Sequence, residues 1–405
     1  MTNLYTDAYE TLMKEGIVQF ALNSYSFAKA AFHDKAVRTV HRDRIENDRA
    51  VRAVSNSYWT YGDSATVNVD RPQETSVFPE EFARYVGNYD LPEPHVYTIA
   101  DARITDDAAI GFTTDNRVLL DSVRGRTHKF CQAVRDTGWR QKLEYRRLTA
   151  DDAVASHDCL FHMVMPVMSY YLWIHEYLPK LYGLEVFQDR TGKCPGILIA
   201  PDSPDWVYES FELLGFDTDR LVEYDEWPIR VDELVLARHR YNDISRGGYA
   251  PPTPSEWEWL RGRATDIPAP DQFPDRVYVS RSDAPRRAVI NEDEVVAKLE
   301  ALGFESYALS ELPFEEQVAL FVGADVVVGV HGAGLVNCVF GDTPSIVELL
   351  PDAYPRATYY CLAAALGSPY VCQLCETVTT ENRPRERDVE IDTDLLNDVI
   401  DQMID

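Results

Sequence analysis

The stretch ADVVVGVHGAGLVNCVFGDTPSIVELLP, residues 324–351, predicts a strand, a glycine turn, a short helix and a second strand in succession. Its apolar run at 326–330 is typical of a strand that is buried on both faces. The sequence HGAG then turns the chain, residues 335–340 continue as a helix, and 345–350 return as another buried strand. This order is typical of a parallel sheet whose strands are connected by helices.

The glycine turn is a candidate site for an anion. Backbone N–H groups between a parallel strand and the following helix attract phosphate, and the candidate donors here are Gly332, Ala333, Gly334 and Leu335. His331 at the strand end, with Asn337 and Glu348 further on, strengthens this interpretation; tight packing without a ligand is the alternative. The fingerprint of dinucleotide-binding proteins is not matched, because it needs a third glycine where Asn337 stands and belongs on the first strand of its domain.

Composition narrows the classes of function. The chain has 405 residues, of which 45% are hydrophobic, enough for two or three domains. We expect no membrane span and no signal peptide, hence a cytoplasmic protein, with contact at the inner face of the membrane left open. A net charge of −28 argues against a broad nucleic-acid surface. Eight Lys against 31 Arg, with 67 acidic residues, suggest a halophilic protein whose self-repulsion is screened by salt; an acidic mesophilic protein is the alternative.

Four segments are predicted along the chain. Residues 1–75 form a helical N-terminal extension, in which an amphipathic helix from Asp7 through Val54 carries arginines on its polar side. Residues 76–246 form an N-terminal Rossmann-like domain, and a Gly- and Pro-rich segment separates it from a C-terminal Rossmann-like domain at 255–390. Residues 391–405 form an amphipathic helix that we expect to pack back on the N-terminal domain.

Both domains alternate short apolar runs with helical segments, so the predicted fold class is α/β with two Rossmann-like domains. In the N-terminal domain the predicted strands are 95–100, 117–122, 196–200, 221–224 and 231–237, with a helix at 206–214. In the C-terminal domain the predicted strands are 276–281, 304–309, 325–330, 345–350 and 370–374, and the helices are 292–302, 314–323 and 354–366.

The loop after the first strand of the C-terminal domain is rich in arginine. Arg281, Arg286 and Arg287 precede Asn291, which stands at the start of a helix. Ligands of open parallel sheets bind at the carboxyl ends of the strands, so this loop and the His331 turn are expected at one edge. Three guanidinium groups beside a turn of N–H donors predict a diphosphate site without a metal; a surface loop that balances an acidic protein is the alternative.

Two further polar features lie in apolar surroundings. Glu176 stands in the apolar segment 169–181, where a carboxylate is costly unless it is paired or used in chemistry. Its interpretation as a catalytic base and as a structurally paired acid both stay open. Cys372 and Cys375 form a lone CxxC in an apolar strand without a second ligand pair, so we predict packing thiols rather than a metal or redox site.

The stretch 276–351 resembles glycosyltransferase family 61, the group of capsular-polysaccharide and O-linked N-acetylglucosaminyl or xylosyl transferases. The pieces that carry the resemblance are YVSRSDAPRRAVINEDEV (278–295), ELPFEEQVALFVGADVVVGVHGAGLVN (311–337) and SIVELLP (345–351). The helix SYYLWIHEYLPKL (169–181) is similar to a weaker upstream motif of the family, although Ser169 and Leu172 replace its Asn and its His.

The resemblance implies a GT-B arrangement, in which two Rossmann-like domains face each other and the C-terminal one binds a nucleotide-diphosphate sugar. It implies inverting transfer of the sugar, UDP-linked in our prediction, to a glycan, lipid-linked glycan or protein acceptor, without a required metal or other cofactor, in surface polysaccharide or glycoprotein synthesis. Inverting transfer needs a base for the acceptor hydroxyl and stabilisation of the departing diphosphate. Glu176 is then the candidate base, and His331 is either the base or, as we favour, a donor to the diphosphate. The arginines replace a metal, and Glu348 either accepts from ribose hydroxyls or caps a helix.

Three other functions stay open at this stage. A nucleotide-sugar epimerase would isomerise the donor without an acceptor. A dinucleotide oxidoreductase is disfavoured by Asn337 in place of the third glycine. A catalytically inactive scaffold would bind a nucleotide sugar without transfer or hydrolysis.

Overall fold

The structure is a computed structural model that describes residues 44–45, 48–71, 78–105, 109–115, 117–122, 153–165, 167–238, 251–264, 272–378 and 383–404. Most of the helix predicted from Asp7 through Val54 lies outside these residues. Contacts divide the chain into two compact units: Met1–Ser55, Ile99–Asp158 and Glu226–Glu233 form the first, and Asn56–Thr98, Cys159–Asp225 and Leu234–Asp405 form the second.

The secondary-structure elements follow in chain order. The strands are β1 Arg44–Ile45, β2 Ser57–Thr60, β3 Ala65–Val69, β4 Gly87–Leu91, β5 His95–Thr105, β6 Ile110–Phe112, β7 Val118–Leu119, β8 Ala155–His162, β9 Gly196–Ile199, β10 Leu221–Glu223, β11 Ile229–Ala237, β12 Arg276–Val279, β13 Glu305–Tyr307, β14 Val326–Val330, β15 Ser345–Pro351, β16 Tyr370–Thr377 and β17 Val389–Glu390. The α-helices are α1 Asp48–Val54, α2 Tyr170–Leu172, α3 Lys180–Thr191, α4 Asp205–Leu213, α5 Pro254–Ala264, α6 Glu292–Ala301, α7 Phe314–Val322, α8 Thr358–Leu366 and α9 Thr393–Ile404. A π-helical turn, Trp173–Tyr177, continues α2. The 3-10 helices are Glu80–Tyr85, Leu120–Ser122, Thr218–Arg220, Leu309–Glu311, Ala333–Val339 and Pro384–Glu386.

The first unit has short strands among its described residues. β6 pairs antiparallel with β7 and with the end of β5, and β1 pairs parallel with β7. The strand predicted at 117–122 is therefore two residues long and continues as the 3-10 helix Leu120–Ser122.

The first half of the second unit contains a sheet in which β8, β9 and β10 run parallel. The start of β5 pairs antiparallel with β2, and the strand order continues from β5 through β11 to β8. Apolar side chains of α3 and α4 pack on β8 and β9 in one core, with Leu184 and Phe211 lying against Phe161 and Ile197. The strands predicted at 95–100, 196–200, 221–224 and 231–237 and the helix at 206–214 are confirmed.

The second half of the second unit is built on the sheet β13-β12-β14-β15-β16-β17. All pairs are parallel except that of β16 with β17. Its strands and helices lie where the sequence predicts them, within a few residues. Alternate residues of β14 explain this: Val327 packs in the core with α7 and α8, whereas Val326 and Val328 pack in a second core with α6 and α9. A strand buried on both faces is apolar throughout, which makes it easy to predict.

The position of the last helix corrects one expectation. The contacts described for α9 are with β15, β16 and α6, not with the N-terminal domain. Leu396, Val399 and Ile400 of α9 are buried in the second core of the C-terminal sheet. An amphipathic helix packs on the nearest open apolar face, and this sheet offers one beside α6.

The expectation of a helical segment through residue 75 is also wrong beyond residue 56. β2 and β3 are strands, and β3 forms a hairpin with β4 that packs on α8. The sequences SYWT and ATVNV contain β-branched and aromatic residues, and β3 alternates buried and exposed positions, as expected of a half-buried strand.

In its coarse form, the predicted α/β class is confirmed: two sheets with parallel strands are flanked by helices. Across the described helices, none has the length and apolar character needed to cross a membrane.

Candidate active site

The arginine loop and the glycine turn leave the C-terminal sheet at the same edge. Val279 at the end of β12 pairs with Gly329 of β14, and Val330 of β14 pairs with Leu349 of β15. The strands are parallel, so the loops after them begin side by side, where open parallel sheets bind ligands.

Gly332 brings these two loops into contact. A Cβ atom at this position would lie 2.7 Å from Nη1 of Arg281, closer than side chains tolerate. The carbonyl oxygen of Gly332 accepts a hydrogen bond from the hydroxyl of Tyr359 on α8. A glycine is therefore required here for the close approach of a guanidinium group to the backbone.

Arg281 and Arg287 are half-buried cations with unused donors. In the described part of the chain, the Nε of each is buried and has no hydrogen-bond partner. Arg281 donates from Nη2 to the carbonyl oxygen of Arg286 at 2.5 Å, and Arg287 donates from Nη1 to that of Arg385 at 3.1 Å. Burial lowers the pKa of both guanidinium groups, and the charge of Arg287 lowers the pKa of Arg281 further. Two partly desolvated like charges with open donors favour a bound anion.

Arg286 and Asn291 have other contacts. Arg286 is 58% exposed, and its Nη1 lies 3.5 Å from Oε1 of Glu386. Asn291 exchanges two hydrogen bonds with the backbone of Ile391, at 2.8 Å and 3.0 Å. The structure therefore does not bring these two predicted nucleotide contacts to the arginine pair, and Asn291 instead holds the segment after β17.

Glu292 shapes the start of the arginine loop, which the sequence analysis did not predict. Its Oε1 accepts from the hydroxyl of Tyr278 at 3.1 Å, from Oγ of Ser280 at 2.9 Å and from the backbone N–H of Arg281 at 2.9 Å. The only signal in the sequence is an acid in the first turn of a helix, which is common for reasons of the helix dipole alone.

His331 is held by a buried carboxylate. Its Nδ1 lies 2.5 Å from Oε1 of Glu348, which is 0% exposed, and Oε2 of Glu348 accepts from the hydroxyl of Tyr370 at 2.5 Å. Both carboxylate oxygens are thus occupied by protein donors rather than open to ribose hydroxyls. The helix-capping alternative is wrong, because Glu348 lies in the middle of β15.

Aromatic rings connect His331 to α2. The ring of His331 lies 5.5 Å from that of Tyr359, Tyr359 lies 6.1 Å from Tyr171, and Tyr171 stacks on His175 at 4.8 Å. Burial raises the pKa of Tyr359 well above its ordinary value, so its hydroxyl stays a donor. Tyr354 also approaches His331, with ring centres 6.1 Å apart. The upstream helix and the glycine turn are therefore parts of one environment within the second unit.

Asn337 links these elements instead of facing the arginine pair. It is fully buried, its Oδ1 accepts from the hydroxyl of Tyr170 at 2.8 Å, and its Nδ2 donates to Oε1 of Gln317 at 3.3 Å. The prediction that Asn337 contacts the nucleotide is corrected by these bonds, since both ends of its amide are engaged between α2 and α7.

Glu176 lies in the π-helical turn Trp173–Tyr177 and is 8% exposed. Turns of this kind often occur at functional sites. The 3-10 helix Ala333–Val339 packs against this turn, so Glu176 belongs to an element that borders the glycine turn.

The thiols of the CxxC are buried in β16. Burial raises the pKa of Cys372 to about 12 and raises that of Cys375 further. Among the described residues, no group of three or more His, Cys, Asp or Glu is placed to hold a metal ion. High thiol pKa values oppose the thiolate form that metal binding and redox exchange require.

A half-buried arginine pair against a glycine turn, beside a histidine bound to a carboxylate, defines a site suited to group transfer from a phosphate-bearing donor. Residues 170–347 match the family model described as Glycosyltransferase 61. This segment is a glycosyltransferase family 61 sequence, and the predicted resemblance is confirmed.

Curated relatives agree with this assignment. The chain is 30% identical over 115 residues to an alpha-1,3-arabinosyltransferase of Oryza sativa subsp. japonica, covering 25% of this chain and 20% of that protein. It is 38% identical over 96 residues to the EGF domain-specific O-linked N-acetylglucosamine transferase of Drosophila melanogaster, covering 23% and 18%. The enzyme of that name in Gallus gallus is 28% identical over 101 residues, covering 24% and 19%. The matched segments thus span about a fifth of the length of these relatives.

Proposed function

We propose that the protein transfers a sugar from a nucleotide-diphosphate donor to a hydroxyl group of a glycan or protein acceptor, with inversion at the anomeric carbon and without a metal. One observation carries the proposal: the Arg281 guanidinium lies against Gly332, and the buried Nε atoms of Arg281 and Arg287 have no partner in the described part of the chain. A diphosphate supplies the acceptor oxygens that these donors lack.

The arginine pair accounts for the departure of the leaving group. When the anomeric bond breaks, negative charge grows on the diphosphate oxygen, and preorganised cations at that point lower the barrier. Two arginines in a partly desolvated site supply this stabilisation where other enzymes use a metal ion. Glu176 and His331 are the candidates for the base that accepts the proton of the acceptor hydroxyl.

The proposed arrangement is GT-B. The C-terminal sheet binds the donor at the edge formed by β12, β14 and β15. The sheet around β8 and β9, with α2 and the π-helical turn, belongs to the acceptor domain. Contacts of α2 with the 3-10 helix Ala333–Val339 support this pairing, because they bring the upstream motif to the donor edge.

The relatives' names suggest the sugars to test first. One relative is named for arabinose transfer and two for N-acetylglucosamine transfer to protein. We therefore propose a pentose or an N-acetylhexosamine as the transferred group, and UDP as the carrier.

Isothermal titration with UDP, UDP-N-acetylglucosamine and UDP-arabinose, each with and without a chelator, tests donor binding. We expect binding that the chelator leaves unchanged. Chelator-sensitive binding would overturn the metal-independent site, and no binding of any nucleotide would overturn the donor site.

Incubation of the binding donor with a panel of glycans and peptides, followed by NMR of the product, tests transfer and inversion. We expect a product whose anomeric configuration is opposite to that of the donor. Isomerised donor without acceptor would instead indicate an epimerase, and bound nucleotide without transfer or hydrolysis would indicate a scaffold.

A further inference from the structure

We propose, on the basis of the function above, that His331 is the general base and that Glu348 and Tyr370 are positioning residues that hold it in the reactive tautomer. The sequence analysis favours His331 as a donor to the diphosphate, so the structure assigns it the opposite direction of proton transfer. The argument rests on which ring nitrogen each partner occupies.

The buried carboxylate determines the tautomer. An ionised Glu348 is acceptor-only, and its Oε1 lies 2.5 Å from Nδ1 of His331, so the proton between them belongs on Nδ1. Nε2 then carries the lone pair. The described residues form no hydrogen bond to Nε2, and the His331 side chain keeps 11% exposure, so this nitrogen is available to a substrate.

Tyr370 prevents Glu348 from rotating or taking a proton. Its hydroxyl donates to Oε2 at 2.5 Å, which leaves neither carboxylate oxygen free. Burial and the neighbouring carboxylate raise the pKa of Tyr370 well above its ordinary value, so the hydroxyl remains a donor. A carboxylate that is fully buried and doubly bonded keeps the imidazole in one orientation, as in other catalytic histidine–carboxylate pairs.

The proton balance of the transfer step follows from this geometry. The acceptor oxygen forms a bond to the anomeric carbon while the bond from that carbon to the diphosphate oxygen breaks. The hydroxyl proton moves to Nε2 of His331, and the electron pair of the broken bond stays on the diphosphate, which Arg281 and Arg287 stabilise. The imidazolium that results is stabilised by Glu348 across the 2.5 Å contact.

Charged and titratable groups reach His331 from all the elements around it. They are Glu348 of β15, Tyr370 of β16, Tyr354 and Tyr359 before and within α8, and Arg281 and Arg287 of the arginine loop. The tyrosines stay neutral where their pKa values are raised, and the arginines stay charged. His331 is thus the group in this set that changes protonation between pH 5 and pH 8.

The wild-type protein alone distinguishes the two directions of proton transfer. If His331 is the base, the turnover number falls as the pH is lowered, because protonation of Nε2 removes the lone pair. If His331 donates to the diphosphate, turnover falls as the pH is raised. A pH profile of kcat that declines only towards alkaline pH would overturn the assignment.

Variants test the positioning residues. Glu348→Gln offers Nδ1 an amide N–H, which favours the tautomer protonated on Nε2, so we expect kcat to fall at least about hundredfold while the Kd for UDP stays within about threefold. Glu348→Asp should restore part of the activity, and Tyr370→Phe should lower kcat less than Glu348→Gln. Cys375→Ala, on the same strand as Tyr370, is the control for a change in a buried side chain. Equal activity of Glu348→Gln and wild type would overturn the positioning role.

Nitrogen NMR of the His331 ring supplies a readout that needs no activity. The wild type should show Nδ1 protonated and Nε2 unprotonated at neutral pH, and folded Glu348→Gln should show the reverse. A wild type with the expected tautomer but no sugar transfer would count against the proposed function and not against the tautomer. Loss of the acid limb in Glu176→Gln but not in His331→Asn would make Glu176 the base and overturn the inference.

Discussion

The helical segment Tyr170–Tyr177 and the arginine loop 281–287 both bury polar side chains in the second unit, but they satisfy them differently. In the helical segment, Trp173 donates from Nε1 to Oγ of Ser210 at 2.9 Å, and Tyr170 donates to Asn337. In the arginine loop, two buried Nε atoms have no partner among the described residues. Native interiors pair almost all buried polar groups. The comparison therefore indicates that the helical segment is held by protein contacts, whereas the arginine loop is completed by a ligand.

The largest expected effect is on the arginine loop. Arg281→Ala combined with Arg287→Ala removes two charged donors worth about 1.5–3 kcal/mol each, so the Kd for UDP should rise at least about hundredfold. Arg286→Ala removes a charge from the same loop, but an exposed one, and should raise the Kd by about fivefold or less. Isothermal titration measures all three variants. Equal losses in the double variant and in Arg286→Ala would contradict the comparison.

The second effect is on the helical segment and concerns stability. Trp173 is 1% exposed, so Trp173→Ala should lower the free energy of unfolding by about 3–5 kcal/mol, measured by denaturant titration. The folded fraction should bind UDP with unchanged Kd, because Trp173 is held by Ser210 and not by the donor site. Trp173→Phe keeps the ring but loses the bond to Ser210, and should cost about 0.5–1.5 kcal/mol. A Kd that rises with the loss of stability would mean that the helical segment also binds the donor.

A smaller effect is expected from the residue that shapes the arginine loop. Glu292→Gln weakens three hydrogen bonds to Tyr278, Ser280 and Arg281 without removing a contact of the ligand. We expect the Kd for UDP to rise about three- to tenfold, corresponding to about 0.5–1.5 kcal/mol. Glu294→Gln, an exposed acid of the same helical turn, is the matched control. Identical affinities of the two variants would show that the loop keeps its shape without Glu292.

The smallest and most distributed effect concerns both regions equally. With a net charge of −28, lowering KCl from molar to millimolar concentration should lower the melting temperature, because screened self-repulsion becomes unscreened. Circular dichroism follows the transition. A midpoint that does not depend on salt would remove the halophilic interpretation, and a shift reproduced by an uncharged osmolyte would argue against a charge effect.

Much of the donor edge was predictable because neighbouring parallel strands end together. The apolar runs predict β12, β14 and β15, and strand direction then places the loops at 281–287 and 331–334 at one edge. Assigning the individual contacts failed for Asn291, Asn337 and Glu348. Each of these polar residues is engaged by a backbone or side chain that is distant in sequence or belongs to another strand, as with Tyr170 and Asn337, which are 167 residues apart.

The amino-acid sequence by itself determined the order of strands and helices in the C-terminal sheet, the glycine turn and the membership of glycosyltransferase family 61. These depend on local pattern: apolar runs buried on both faces, and glycines where a guanidinium group or a side chain approaches the backbone. Only the tertiary structure decided which arginines face Gly332 and which nitrogen of His331 is free. Those depend on the directions of side chains from separate elements, and packing among β14, β15, β16 and α8 selects one direction for each.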